Sequence, residues 1–155
     1  MDESADHPDV VALPPLLYLA AFLVVLLLRW IRPWPILPPH LVPWVGIGLL
    51  LVGLAIGIPG RLALRSAGTS VKPTQPTTAI VMRGPYRFTR NPLYVGLTCF
   101  FVGLTLAFDT GWGFVVLVPL LVVMHFGVVR REESYLERKF GEEYRQYRGR
   151  VRRYL

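Results

Sequence analysis

Arg83-Gly-Pro-Tyr-Arg-Phe-Thr-Arg-Asn-Pro-Leu-Tyr-Val-Gly96 opens as a polar, turn-forming segment and ends inside an apolar run. Gly84-Pro85 signals a turn. Asn91-Pro92 signals a helix start, with Asn91 at the N-cap and Pro92 at the first helical position. From Asn91 to Phe108 there is no charged residue. Arginines and tyrosines at the end of such a run are tolerated at a membrane surface only where backbone and charges find partners. The stretch therefore predicts a membrane helix with something built at its mouth.

Working outward, three more charge-free runs appear: Val10 to Leu28, Pro33 to Gly60 with an apolar core from Leu41 to Ile58, and Thr110 to Val129. A helix crossing the hydrocarbon needs about 20 apolar residues. The chain of 155 residues is 53% apolar, above the usual soluble share. The reading is an all-α integral membrane bundle of four transmembrane helices, at about 10–31, 41–60, 92–108 and 111–129, in one domain. Residues 61–91 form a loop, and residues 130–155 a tail carrying an amphipathic helix. On that tail Val129, Glu133, Leu136, Phe140, Tyr144, Tyr147 and Val151 recur at helical spacing, with Gly141 as an interruption. The first run is a span, not a signal peptide, because Asp2, Glu3, Asp6 and Asp9 precede it without a basic residue.

The net charge of +7 is concentrated. Six basic residues lie from Arg61 to Arg90 and nine from Arg130 to Arg153. The positive-inside rule puts both segments in the cytoplasm. Anionic lipid headgroups are a simpler partner for this charge than nucleic acid. The single cysteine, Cys99, excludes an intrachain disulfide. His7, His40 and His125 lack metal-ligand spacing and read as packing or interface residues. Gly53 and Gly57 permit a close helix contact. No Asp, Glu, Lys or Arg sits in the middle of a run, which argues against an ion-coupled transporter.

Glu132 and Glu133 lie one turn beyond the last run, where a carboxylate is costly unless paired or exposed. Together with Arg83 to Gly96 and Phe140-Gly-Glu-Glu-Tyr-Arg-Gln-Tyr147, they resemble the isoprenylcysteine carboxyl methyltransferase family, which is grouped with the phospholipid N-methyltransferases. The resemblance covers roughly residues 60 to 155. It implies an enzyme using S-adenosylmethionine as cofactor at the cytoplasmic membrane face. It also implies cofactor contacts from Thr78, Ala79, Ile80 and Val81, from Tyr86, from Asn91, Pro92, Leu93 and Tyr94, and from Glu132 and Glu133. Asn91 stands where the family often has His. Val128 stands where eukaryotic members carry an arginine for the substrate carboxylate, which leaves Arg130 or Arg131 to orient an acceptor. A carboxylate is ionised at neutral pH and needs no base, whereas an amine must first lose a proton. The expectation is therefore carboxylate O-methylation of a lipophilic or lipidated acceptor, with lipid or amine N-methylation as the alternative.

Overall fold

The computed structural model describes residues 7–72 and 74–154. Asp2, Glu3 and Asp6 of the acidic leading segment, and Pro73 of the loop, lie outside the described residues. The elements are α1 (Pro14–Ile31), α2 (Val42–Ser66), a 3-10 turn (Gly84–Arg87), α3 (Pro92–Ala107), α4 (Trp112–Met124), a π turn (His125–Val129), α5 (Arg130–Phe140) and α6 (Glu142–Arg150). Among the described residues there is no strand, only an isolated parallel bridge between Thr89 and Arg152.

The four apolar helices form the expected membrane bundle. Three helical stretches are long and apolar enough to cross a bilayer, the third by running on from α4 through the π turn, and Pro92–Ala107 is a shorter apolar helix. Leu16, Leu23 and Leu27 of α1, Leu51 and Ile58 of α2, and Val118 and Val122 of α4 all stand exposed. That much exposed apolar surface belongs against lipid. Inside the bundle, Tyr18 and Val25 of α1, Phe101 of α3, Leu120 and Met124 of α4, and Val128 form the core.

Glycines let α2 and α3 approach backbone to backbone. A Cβ at Gly96 would lie 2.9 Å from the Gly53 carbonyl oxygen and 3.1 Å from the Gly57 nitrogen. One at Gly103 would lie 2.8 Å from the Leu50 nitrogen. The small-residue pair read at Gly53 and Gly57 thus serves a contact within the chain. Backbone atoms cannot step aside, so Gly96→Val should cost roughly 1–3 kcal/mol, seen as a lower melting temperature in detergent. Gly48→Val, whose Cβ would meet nothing within 4 Å, should melt like the parent.

At the end of the bundle away from the basic segments, Asp109 knits two turns together. Its Oδ1 accepts the N–H groups of Ile36 (2.8 Å) and Leu37 (2.9 Å), and its carbonyl accepts Arg29 Nη1 at 3.1 Å. The basic end carries the more elaborate construction. There α2 runs on to Ser66, and Val81 packs back against Ala63 and Tyr86. Asn91 occupies the N-cap position without capping through its side chain. Its Nδ2 donates instead to the Arg153 carbonyl at 3.0 Å. Gly141, at φ +54, turns the chain between α5 and α6 in a conformation that disfavours other residues. The segment after α6 lies along residues 89–91: Arg90 N–H donates to the Arg152 carbonyl at 2.9 Å, and Thr89 Oγ1 to the Arg153 carbonyl at 3.1 Å.

Candidate active site

Two cavities meet at Tyr94. The first lies at the basic end, between the close of α2, the 70–81 loop, the 3-10 turn, the start of α3, and helices α5 and α6. Counting its open mouth, it holds about 840 Å³ of atom-free space. Of the residues expected at a cofactor, Ala79, Ile80, Val81, Tyr86, Asn91, Leu93, Tyr94, Glu132 and Glu133 line it. Thr78 does not: its N–H donates to Thr69 Oγ1 at 3.0 Å and its hydroxyl to the Gly68 carbonyl at 3.1 Å. Pro92 is buried at the head of α3 and is likewise outside the lining.

The adjacent glutamates have different surroundings. Glu132 Oε1 accepts the Tyr94 hydroxyl at 2.6 Å, and no ion pair to Glu132 is present among the described residues. Burial pushes its carboxyl up to about 7. The Tyr94 hydrogen bond opposes that shift, and the neighbouring Glu133 charge adds to it. Glu133, one step round the helix, is saturated. Arg153 meets it in a bidentate grip, Nε to Oε1 at 3.0 Å and Nη2 to Oε2 at 2.7 Å. Arg90 Nη2 lies 3.2 Å from Oε1. Glu133 therefore pins the post-α6 segment and the Arg83–Gly96 stretch to α5, while Glu132 keeps a carboxylate facing the cavity. Arg90 is itself buried, and its Nε and Nη1 have no hydrogen-bond partner among the described residues.

Tyrosines form much of the remaining wall. Tyr147 donates its hydroxyl to the Tyr86 carbonyl at 2.8 Å, tying α6 to the 3-10 turn. Tyr135 Oη accepts the Thr77 N–H at 3.2 Å. Burial raises the hydroxyls of Tyr86, Tyr144 and Tyr147, Tyr144 to about 12. They stay protonated at neutral pH; Tyr147 is a donor, and all three offer flat apolar surface and no base.

The second cavity lies within the bundle. It is bordered by Tyr18 of α1, Tyr94, Val95, Thr98 and Cys99 of α3, Leu121, Val122 and Met124 of α4, His125, Phe126 and Val129 of the π turn, and Tyr154. Its atom-free space is about 1020 Å³ with the open side included. Leu121, Val122 and Phe126 are also exposed on the lipid-facing surface, so the cavity opens sideways toward the bilayer. A hydrogen-bonded chain crosses one wall: Tyr18 Oη and Thr98 Oγ1 lie 2.7 Å apart, and Thr98 donates to the Tyr94 carbonyl at 2.8 Å.

The two arginines expected to orient an acceptor lie elsewhere. Arg131 Nη1 donates to the Asp9 carbonyl at 2.7 Å, and Arg130 sits over the Phe126 ring, 5.5 Å from its centroid. Neither lines either cavity. Sequence reading also passed over Arg153 and Tyr154, and took His125 for a packing or interface residue. Arg153 and Tyr154 had no signal beyond basic and aromatic character. His125, an ionisable group in an otherwise uncharged run, did carry one.

The phospholipid methyltransferase family matches residues 41–143. The match takes in α2, the loop, α3, α4, the π turn and α5, and so most of both cavities. An uncharacterized protein of Haemophilus influenzae is 52% identical over 40 residues, 26% of this chain. The chain spans about 62% of that relative's length. No solved structure matches the chain. A membrane bundle matched to one family over residues 41–143 places the chain: it belongs to the phospholipid methyltransferase family.

Proposed function

We propose that the chain transfers a methyl group from S-adenosylmethionine, held in the first cavity, to a lipophilic acceptor that enters the second from the bilayer. Tyr94 carries this reading. Its side chain borders both cavities while its hydroxyl donates to Glu132. A polar donor and a lipophilic acceptor must meet across a thin partition, and Tyr94 is that partition.

The residues present fit the donor. Glu132 offers a carboxylate for its ammonium group. Val81, Leu93, Tyr86 and Tyr144 offer apolar and aromatic surface for its nucleoside. When bound, the donor supplies a methyl group already activated on a positively charged sulfur. The protein's work is then positioning and exclusion of water. Tyr94 and Glu132 fix one end of the first cavity, and the Glu133 clamp with Arg90 and Arg153 closes the wall beside them. The basic end is the cytoplasmic one, where the donor is dissolved.

On the acceptor atom, the lining of the second cavity supports an amine over a carboxylate. A carboxylate held in an apolar cavity calls for a cation, and neither Lys nor Arg lines this cavity among the described residues. An amine calls for a group that can take its proton, and His125 is present.

Calorimetric titration of the detergent-purified protein with S-adenosylmethionine and S-adenosylhomocysteine tests the donor site. Lipophilic amines and acids of equal chain length, offered with the labelled donor, test the acceptor. Saturable donor binding followed by methylation of either class upholds the reading; a folded protein that binds neither donor nor product overturns it. Donor affinity should also rise with pH. Glu132 titrates at about 7, so below that value it is neutral and has no charge to offer an ammonium group. Affinity should climb from pH 6 to about pH 8 and then level off.

A further inference from the structure

Resting on that reading, we infer that His125, oriented by Tyr154, is the proton acceptor for a primary or secondary amine borne on a long alkyl chain in the second cavity. His125 opens the π turn that joins α4 to α5. Such turns interrupt the regular helical ladder and recur at functional sites. Here the turn coincides with an imidazole at the cavity border. The ring is fixed on two sides: Nδ1 lies 2.9 Å from Tyr154 Oη, and the Phe126 ring stands edge-on at 4.8 Å between centroids.

The Tyr154 contact admits the tautomer that the step needs. A hydroxyl rotates to donate or accept. With Nδ1–H donating to the Tyr154 oxygen, Nε2 keeps a lone pair. The proton transfer is then balanced within the cavity. The N–H bond of the ammonium breaks, its electron pair stays on nitrogen, and the proton joins Nε2. The lone pair left on nitrogen is what methyl transfer consumes. A hydroxyl at Nδ1 remains a good partner for the resulting imidazolium.

The other titratable or charged groups around His125 do not serve this step. Tyr18 on α1 shares its hydroxyl with Thr98. Tyr94 on α3 donates to Glu132. Cys99 on α3 is a half-buried thiol in the same lining, and burial raises the Tyr154 hydroxyl. Arg130 lies over Phe126 and is already a cation. Imidazole is the side chain whose ordinary titration range brackets neutral pH. The rest of the lining, Val95, Leu121, Val122, Met124 and Val129, is alkyl or thioether, which suits a hydrocarbon chain.

The test needs no methyl donor in its first arm. The chain has three histidines, so their imidazole Cε1 resonances in nanodiscs are few, and loss of one peak in His125→Gln assigns the residue. Dodecylamine should shift the His125 resonance saturably in the unsubstituted protein, and dodecanoate should leave it in place. In the second arm, with S-adenosylmethionine, His125→Gln should methylate dodecylamine roughly 100-fold more slowly near pH 7. It should recover to within about tenfold of the parent near pH 10, where the amine loses its proton unaided. A resonance unmoved by an amine that the protein does methylate, or a variant equally slow at both pH values, overturns the inference and leaves the proposed function standing. A folded protein that binds no S-adenosylmethionine overturns both.

Discussion

Glu132→Gln should lower affinity for S-adenosylmethionine by roughly 100-fold or more without unfolding the protein. The effect follows from removing one member of a partly desolvated charge pair, which costs about 2–5 kcal/mol. The fold is spared because a glutamine carbonyl still accepts the Tyr94 hydroxyl that Glu132 Oε1 accepts at 2.6 Å. The pH dependence of donor binding should vanish in the same variant, since the titrating group is gone. Calorimetry at three pH values reads both effects. Retention of parent affinity, or of the parent pH slope, would remove Glu132 from the donor site.

Glu133→Ala should do the opposite, although the two residues are adjacent. Arg90 is nine-tenths buried and Arg153 about two-thirds, and both direct guanidinium nitrogens at Glu133. Removing the carboxylate leaves a buried cation without its counter-charge, a loss of about 3–5 kcal/mol. The partial exposure of Arg153 places the value toward the lower end. The melting temperature in detergent should fall by several degrees. The segment after α6, which Glu133 holds through Arg153, should become sensitive to trypsin. A variant that melts with the parent and resists trypsin equally well would show the clamp to be dispensable. The pair of variants separates a carboxylate kept for a ligand from one consumed by the fold.

The division between these glutamates was not legible in the sequence, whereas the bundle was. Four uncharged runs, prolines at helix starts and a basic bias on alternate loops are local features with one structural meaning in a bilayer. The Arg83–Gly96 stretch likewise announced its turn and its helix start. What sequence could not rank were partners distant along the chain. Arg153 reaches Glu133, Thr89 and Asn91 meet the Arg153 carbonyl, and Asp9 engages Arg131. Such pairings depend on where the post-α6 segment returns, and no periodicity encodes that return. Arg130 and Arg131 show the same limit: they were expected to stand in for the arginine missing at Val128, but one helical step sends each side chain to a different face. His125 was read as a packing residue because metal-ligand spacing was absent, a test that is silent about acid–base chemistry.

Tyr94 also has a bearing on how binding in one cavity affects the other. Its hydroxyl is committed to Glu132, and its side chain borders the space on the other side. A ligand ammonium arriving at Glu132 competes for the oxygen that holds that hydroxyl. Any resulting shift of the ring alters the volume offered to a lipid chain. Linkage makes the dependence mutual: whatever factor the first ligand applies to the second, the second applies to the first. On the proposed function, one phenol ring thereby ties the occupancies of a water-facing and a lipid-facing cavity into a single equilibrium.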